Sequence, residues 1–170
     1  STIAVGTNPH SVFVSGKYAY TANYTSNTIS IVDISNPSAP TQVTTTPSGG
    51  TSPVSVFVSG RYAYVSHLGD NVFAVIDISN PYVPVLAGST TAGTGPRSVF
   101  VSGRYAYMAN SGSDNISIID VSRPTAPVQI STVTVGDDPR GLTVSGRFAY
   151  IANFTPGTVS VVDISNPSAP

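Results

Sequence analysis

An all-β chain assembled from four copies of one four-stranded unit is what this 170-residue sequence predicts, on three observations. "VSGKYAY" at Val14 returns as "VSGRYAY" at Val58 and Val101 and as "VSGRFAY" at Val144, a period of 43 or 44 residues. Aspartates keep the same beat at Asp33, Asp77, Asp120 and Asp163, each followed four residues on by a proline: Pro37, Pro81, Pro124 and Pro167. Within a copy the apolar residues alternate or run for a few positions, and nowhere recur at the i, i+3, i+4 spacing of a helix. Four-stranded units repeating every ~40–45 residues are the blades of a β-propeller.

Each element of the blade has its own justification. The run "SVFVSG" at Ser11, with counterparts at Ser55, Ser98 and Gly141, is apolar on both faces and suits an inner strand beside the axis. Ser-Gly follows, at Gly16, Gly60, Gly103 and Gly146, where a tight hairpin needs a residue free to take positive φ. The second strand sets Tyr18, Tyr62, Tyr105 and Phe148 together with Tyr20, Tyr64, Tyr107 and Tyr150 on one face. Ala19, Ala63, Ala106 and Ala149 lie on the other, the large-against-small fit that stacked blades need. The third strand, "TVSVVDIS" in the last copy, is rich in β-branched residues and runs into Asp-x-Ser-x-Pro, whose proline has no N–H to continue the ladder. The polar stretch Thr41 to Thr46 suits an exposed outer strand. The chain is therefore expected to be a single repeat array over residues 1–170, with blades at 1–40, 41–84, 85–127 and 128–170 and strand 1–5 serving as an outer clasp.

That clasp follows from register. "STIAVG" at Ser1 aligns with "STVTVG" at Ser131, the outer-strand position, while the chain stops just after a third strand. Ser1 to Val5 could close a four-bladed ring beside Thr158 to Asp163. Alternatively it could serve a second chain head to tail and close eight blades, or build a fibre. An open ring would expose an apolar blade face and an unpaired edge. Neighbouring blades of a longer chain are the remaining candidate partner, and the start on "STIAV" without an initiator Met or a signal-peptide pattern reads as a processed or excised chain.

"YAYVSHLGDNVFAVIDISNPYVP" and its sister copies resemble the LVIVD repeat family of β-propellers in their aromatic-Ala-Tyr strand, their I-x-D strand and their D-x-S-x-P-x-x-P turn. "YTANYTSNTISIVDIS" is also similar to the YVTN repeats of surface-layer propellers. The resemblance covers all four copies. It implies a propeller working as a secreted or cell-surface module, and carries over no catalytic residues.

Composition narrows the function classes. Charged residues make up 9% of the chain, against roughly 25% in an average soluble domain. A net charge of -1 and a pI near 6.0 leave no basic footprint for nucleic acid. No apolar run approaches the roughly 20 residues that span a bilayer as a helix, so membrane insertion is not expected. With no cysteine the chain has neither disulfides nor thiolate metal sites. G-x-S-x-G, H-E-x-x-H and P-loop patterns are missing, which favours a non-enzymatic role without cofactor or metal.

Three residue sets are candidates for something more. His10, Arg97 and Arg140 occupy equivalent positions just before the inner strand, near the channel mouth, and together could bind a carboxylate or phosphate. Asp33, Asp77, Asp120 and Asp163 recur once per blade, as a turn requires and a catalytic residue does not; their expected role is to accept N–H groups of the following turn. N-x-[ST] occurs at Asn23, Asn115 and Asn153, candidates for glycosylation in a secreted chain. The reading is a non-enzymatic extracellular structural, adhesive or fibre-forming module acting through protein contacts and strand exchange. The alternative is a ligand-binding or hydrolytic propeller with an anion site at the channel mouth.

Overall fold

The computed structural model describes residues 1–170 and contains strands only. Blade 1 is the antiparallel meander β1 (Pro9–Ser15), β2 (Tyr18–Asn23), β3 (Thr28–Asp33) and β4 (Thr41–Pro47). Blade 2 repeats it with β5 (Pro53–Ser59), β6 (Tyr62–His67), β7 (Val72–Asp77) and β8 (Val85–Thr91). Blade 3 holds β9 (Pro96–Ser102), β10 (Tyr105–Asn110), β11 (Asn115–Asp120) and β12 (Val128–Thr134). Blade 4 has three strands, β13 (Pro139–Ser145), β14 (Phe148–Asn153) and β15 (Thr158–Asp163). The chain is thus an all-β propeller of four blades. Gly16, at φ 58° with open space around its Cβ position, is there for the backbone conformation of the first hairpin rather than for room.

Inner strands pack on one another from β1 to β5 to β9 to β13, while outer strands diverge, so each blade is a wedge. Along the inner strands Phe13, Phe57 and Phe100 stack with ring centroids 4.7 Å apart, and Thr143 stands at the same place in blade 4. The core lies between blades. Tyr20, Ala22, Ile29 and Ile31 on the trailing face of blade 1 meet Val56, Val58, Ala63 and Ile76 on the leading face of blade 2, and two homologous clusters follow. Fully burying each of the larger side chains is worth about 1.5–3 kcal/mol, so these faces hold the array together.

The arc is open. Val12 and Val14 on the leading face of blade 1 are 64% and 56% exposed, whereas their equivalents Val56 and Val58 are buried. On the trailing face of blade 4, Val159 and Val161 are 63% and 59% exposed where Ile116 and Ile118 are fully covered. The pairing of Ser1–Val5 with Thr158–Asp163 that a self-closed ring requires is absent. The amino-terminal segment lies instead along blade 1, where the outer strand of a preceding blade belongs. Ser1 Oγ donates to the Pro37 carbonyl at 2.6 Å, as Ser131 Oγ of β12 donates to the Pro167 carbonyl at 2.6 Å.

Candidate functional site

Every inner strand opens with a bulge against the second strand, and the residue that the ladder skips is His10, Val54, Arg97 or Arg140. A bulge re-aims its extra side chain; Val54 is buried, His10 is exposed, and Arg97 and Arg140 make polar contacts. The three polar members each engage their own blade. His10 stacks on Tyr24 with centroids 4.5 Å apart. Arg97 Nε donates to Ser111 Oγ at 3.2 Å. Arg140 donates to both oxygens of Asp138, at 2.8 Å and 3.1 Å, and lies 3.6 Å from the centroid of Phe154. Arg140 foremost, then Arg97, hold the Asp138 carboxyl below its ordinary pKa. Only Arg140 is paired with that carboxylate, Arg97 is bonded to Ser111, and His10 stands apart, two blades from Arg97.

The recurring aspartates form a second constellation. Oδ1 of Asp33, Asp77, Asp120 and Asp163 accepts the N–H of Ser35, Ser79, Ser122 and Ser165 at 2.8–3.0 Å. Oδ2 pairs with Lys17, Arg61, Arg104 or Arg147 from the hairpin turn of the same blade. Each of those cations lies over the ring of the next residue, Tyr18, Tyr62, Tyr105 or Phe148, at 5.0–5.2 Å. Bonds from Ser35 and then Lys17 hold Asp33 at a pKa of about 2, and bonds from Arg61 and Arg104, followed by Ser79 and Ser122, do the same for Asp77 and Asp120. This is a four-fold structural clip. The sequence carries its signal, a Lys or Arg 16 residues before each Asp, which the sequence reading passed over.

Two of the sequon asparagines are internal. Asn23 and Asn153 are buried, each Nδ2 donating to a Thr and a Ser of the third strand, Thr28 and Ser30 or Thr158 and Ser160. A glycan on either nitrogen would displace those bonds, so these two sites are not presented by the folded chain. Asn115 is partly exposed, with Oδ1 accepting from Asn110 Nδ2. Blade 2 replaces the Asn–Ser pair with His67 and Ala74: the imidazole is fully buried, Nδ1 lies 3.1 Å from the Val72 carbonyl, and Nε2 has no partner. Burial lowers the His67 pKa. No group of three or more His, Cys, Asp or Glu side chains is gathered for a metal.

The larger of two cavities, about 590 Å³, takes in the clasp segment and His10, one of the three candidate anion-binding residues. It runs between the Ser1–Val5 segment and the leading face of blade 1, lined by Ile3, Val5, His10, Val12, Thr21 and Val32 among others. A smaller one, about 290 Å³, lies on the trailing face of blade 4 around Leu142, Thr143, Tyr150 and Val159. Both are apolar grooves on the two terminal blade faces.

The repeat now has its period, strand order and closing turn defined, and the LVIVD repeat matches residues 7–46, 50–92, 95–135 and 137–170. The chain belongs to the LVIVD repeat family. No curated protein matches this LVIVD chain. Among solved structures it is similar to a protein of unknown function from Desulfotomaculum acetoxidans, at 16% identity and a TM-score of 0.86 over 97% of this chain and 57% of that one. It is similar to the periplasmic gluconolactonase of Pseudomonas aeruginosa, at 18% identity and a TM-score of 0.76 over 92% of this chain and 54% of that one. It also matches the computationally designed Ika4 protein, at 11% identity and a TM-score of 0.75, covering 97% of this chain and 96% of that one. The LVIVD chain thus spans about half the length of the two natural proteins and nearly all of the designed one. At these identities the likeness establishes the fold.

Proposed function

We propose that this LVIVD propeller is a non-enzymatic structural and adhesive module, working outside the cell or at its surface through contacts between blade faces. One observation carries the reading. The Asp–cation clips of all four blades are closed within their own blade, whereas the two terminal blade faces expose apolar side chains at positions that form the internal core elsewhere. Exposed apolar surface of this kind marks protein contact.

A second reading rests on the fold likeness to a gluconolactonase and on Arg97 and Arg140 at equivalent bulge positions of neighbouring blades. In it the mouth of the array binds or hydrolyses an anionic or lactone ligand. Gluconolactone hydrolysis and phosphate binding by the purified chain separate the two. The structural reading expects a rate equal to the uncatalysed background and no saturable binding. A rate or affinity that falls at least tenfold in an Arg97→Ala/Arg140→Ala variant would transfer the function to the mouth.

A further inference from the structure

The third strand of blade 4 has a free outer edge, and the amino-terminal segment is an outer strand without a blade. The two match residue by residue. In blade 3, β11 pairs with β12 so that Asn115 faces Thr134, Ile116 faces Val133, Ser117 faces Thr132 and Ile118 faces Ser131. One repeat on, the β11 positions become Thr158, Val159, Ser160 and Val161 of β15. The β12 positions become Ala4, Ile3, Thr2 and Ser1, an equivalence fixed by contacts as well as by sequence. Ser1 and Ser131 make the same bond to a proline carbonyl. The N–H of Gly6 donates to Ser30 Oγ at 3.3 Å, as that of Gly136 donates to Ser160 Oγ at 3.2 Å. A Cβ on Gly6 or on Gly136 would meet Asn23 or Asn153 at 2.5 Å. The segment is therefore already seated as an internal outer strand would be.

We propose that a second copy of this chain supplies Ser1–Ala4 as the fourth strand of blade 4, with Ser1 opposite Val161, Thr2 opposite Ser160, Ile3 opposite Val159 and Ala4 opposite Thr158. This deepens the structural reading and rests on it. The same contact lays the leading face of the second copy, Val12, Val14 and Val32, on the trailing face of the first, Tyr150, Val159 and Val161. It continues the interface that blades 1 to 4 repeat three times. The side chains on both faces are uncharged, and the ammonium of Ser1 stands at the end of the added strand. The arc holds four blades, so two copies, each donating its amino-terminal segment to the other, close a ring of eight.

Three features hold the first two junctions; the junction of blades 3 and 4 keeps one of them, the Asp114 bond, and the seam keeps none. Ser11 and Ser55 each accept an N–H of the next blade, from Val56 and Val99, and Gly141 stands at that position in blade 4. Asn27, Asn71 and Asp114 each accept an N–H at the start of the next blade, where blade 4 has Gly157. Thr143 ends the phenylalanine stack. With fewer polar locks and no ring to stack, the seam opens before any internal junction does.

Because the chain has no cysteine, single-cysteine variants read the register directly. An Ile3→Cys chain mixed with a Val159→Cys chain under mild oxidation gives a covalent product of twice 17.4 kDa, whereas Ala4→Cys with Val159→Cys does not, because neighbouring residues of a strand point to opposite faces. Val161→Glu, at a position exposed in the single chain, leaves it folded and returns the mass to 17.4 kDa. A two-copy mass without the predicted bond overturns the register and leaves the structural reading standing. Masses that grow with concentration overturn the two-copy ring, and a wild-type chain monodisperse at 17.4 kDa overturns both the inference and the reading.

Discussion

The aspartate of each blade shows how much one residue can hold. Its two oxygens do separate tasks, Oδ1 fixing the turn and Oδ2 tying the hairpin cation across the sheet. The turn role was legible from repetition alone, because a group needed once per blade is structural. The cation was equally visible in the sequence, but linking it to an Asp 16 residues away requires knowing that β2 and β3 fold back on one another. Since these carboxyls have pKa values of about 2 in Asp33, Asp77 and Asp120, below the ordinary value of 3.8, their contribution to stability is present above pH ~4. It is lost as pH falls through 4 toward 2. Thermal unfolding followed from pH 5 to pH 2 should show the midpoint falling across that window, and an Asp77→Asn/Asp120→Asn variant should show a shallower fall. Two of the three sequons are buried for a related reason: a three-letter motif says nothing about burial, and Asn23 and Asn153 bond Thr and Ser of the adjacent strand.

Blade 2 supplies the comparison at the scale of the element. His67 and Ala74 stand where the other blades have Asn and Ser, so the buried amide and its hydroxyl acceptor are replaced together, and Nε2 is left unpaired. His67→Asn alone strands Nδ2 without its serine acceptor and is expected to destabilise. The His67→Asn/Ala74→Ser double variant should recover about 1 kcal/mol relative to that single change, as measured by urea unfolding. Burial depresses the His67 pKa, and the Val72 carbonyl foremost, then Asp70, offset it only in part, so the histidine stabilises above its unfolded pKa near 6.5 and loses that contribution as pH falls below it. The double variant should remove this pH dependence. Blade faces give a sharper contrast. Ile118→Ala, inside the junction of blades 3 and 4, should cost about 2–5 kcal/mol. Val161→Thr, at the same place on the open face, should cost under about 0.5 kcal/mol in chains diluted until the copies separate. Strand pattern and hairpin position were legible because they rest on local alternation and on glycine; which face of which blade remains open was not, because every copy has the same alternation.

At the scale of the molecule, period, blade count and strand order follow from a repeat that leaves little freedom. Closure does not. How far each wedge turns from its neighbour depends on the side-chain volumes packed between blades, a sum over three interfaces that no single motif records. The sequence left the four-bladed ring, the two-chain ring and the fibre all open, and the structure resolves one part of this by holding Ser1–Val5 against blade 1 while blade 4 keeps three strands. The account's central claim is that these two open ends belong to each other across copies. Light scattering coupled to size exclusion, with the unmodified chain at micromolar concentration, tests it most directly: the account predicts one species at twice 17.4 kDa, and a single species at 17.4 kDa would contradict it.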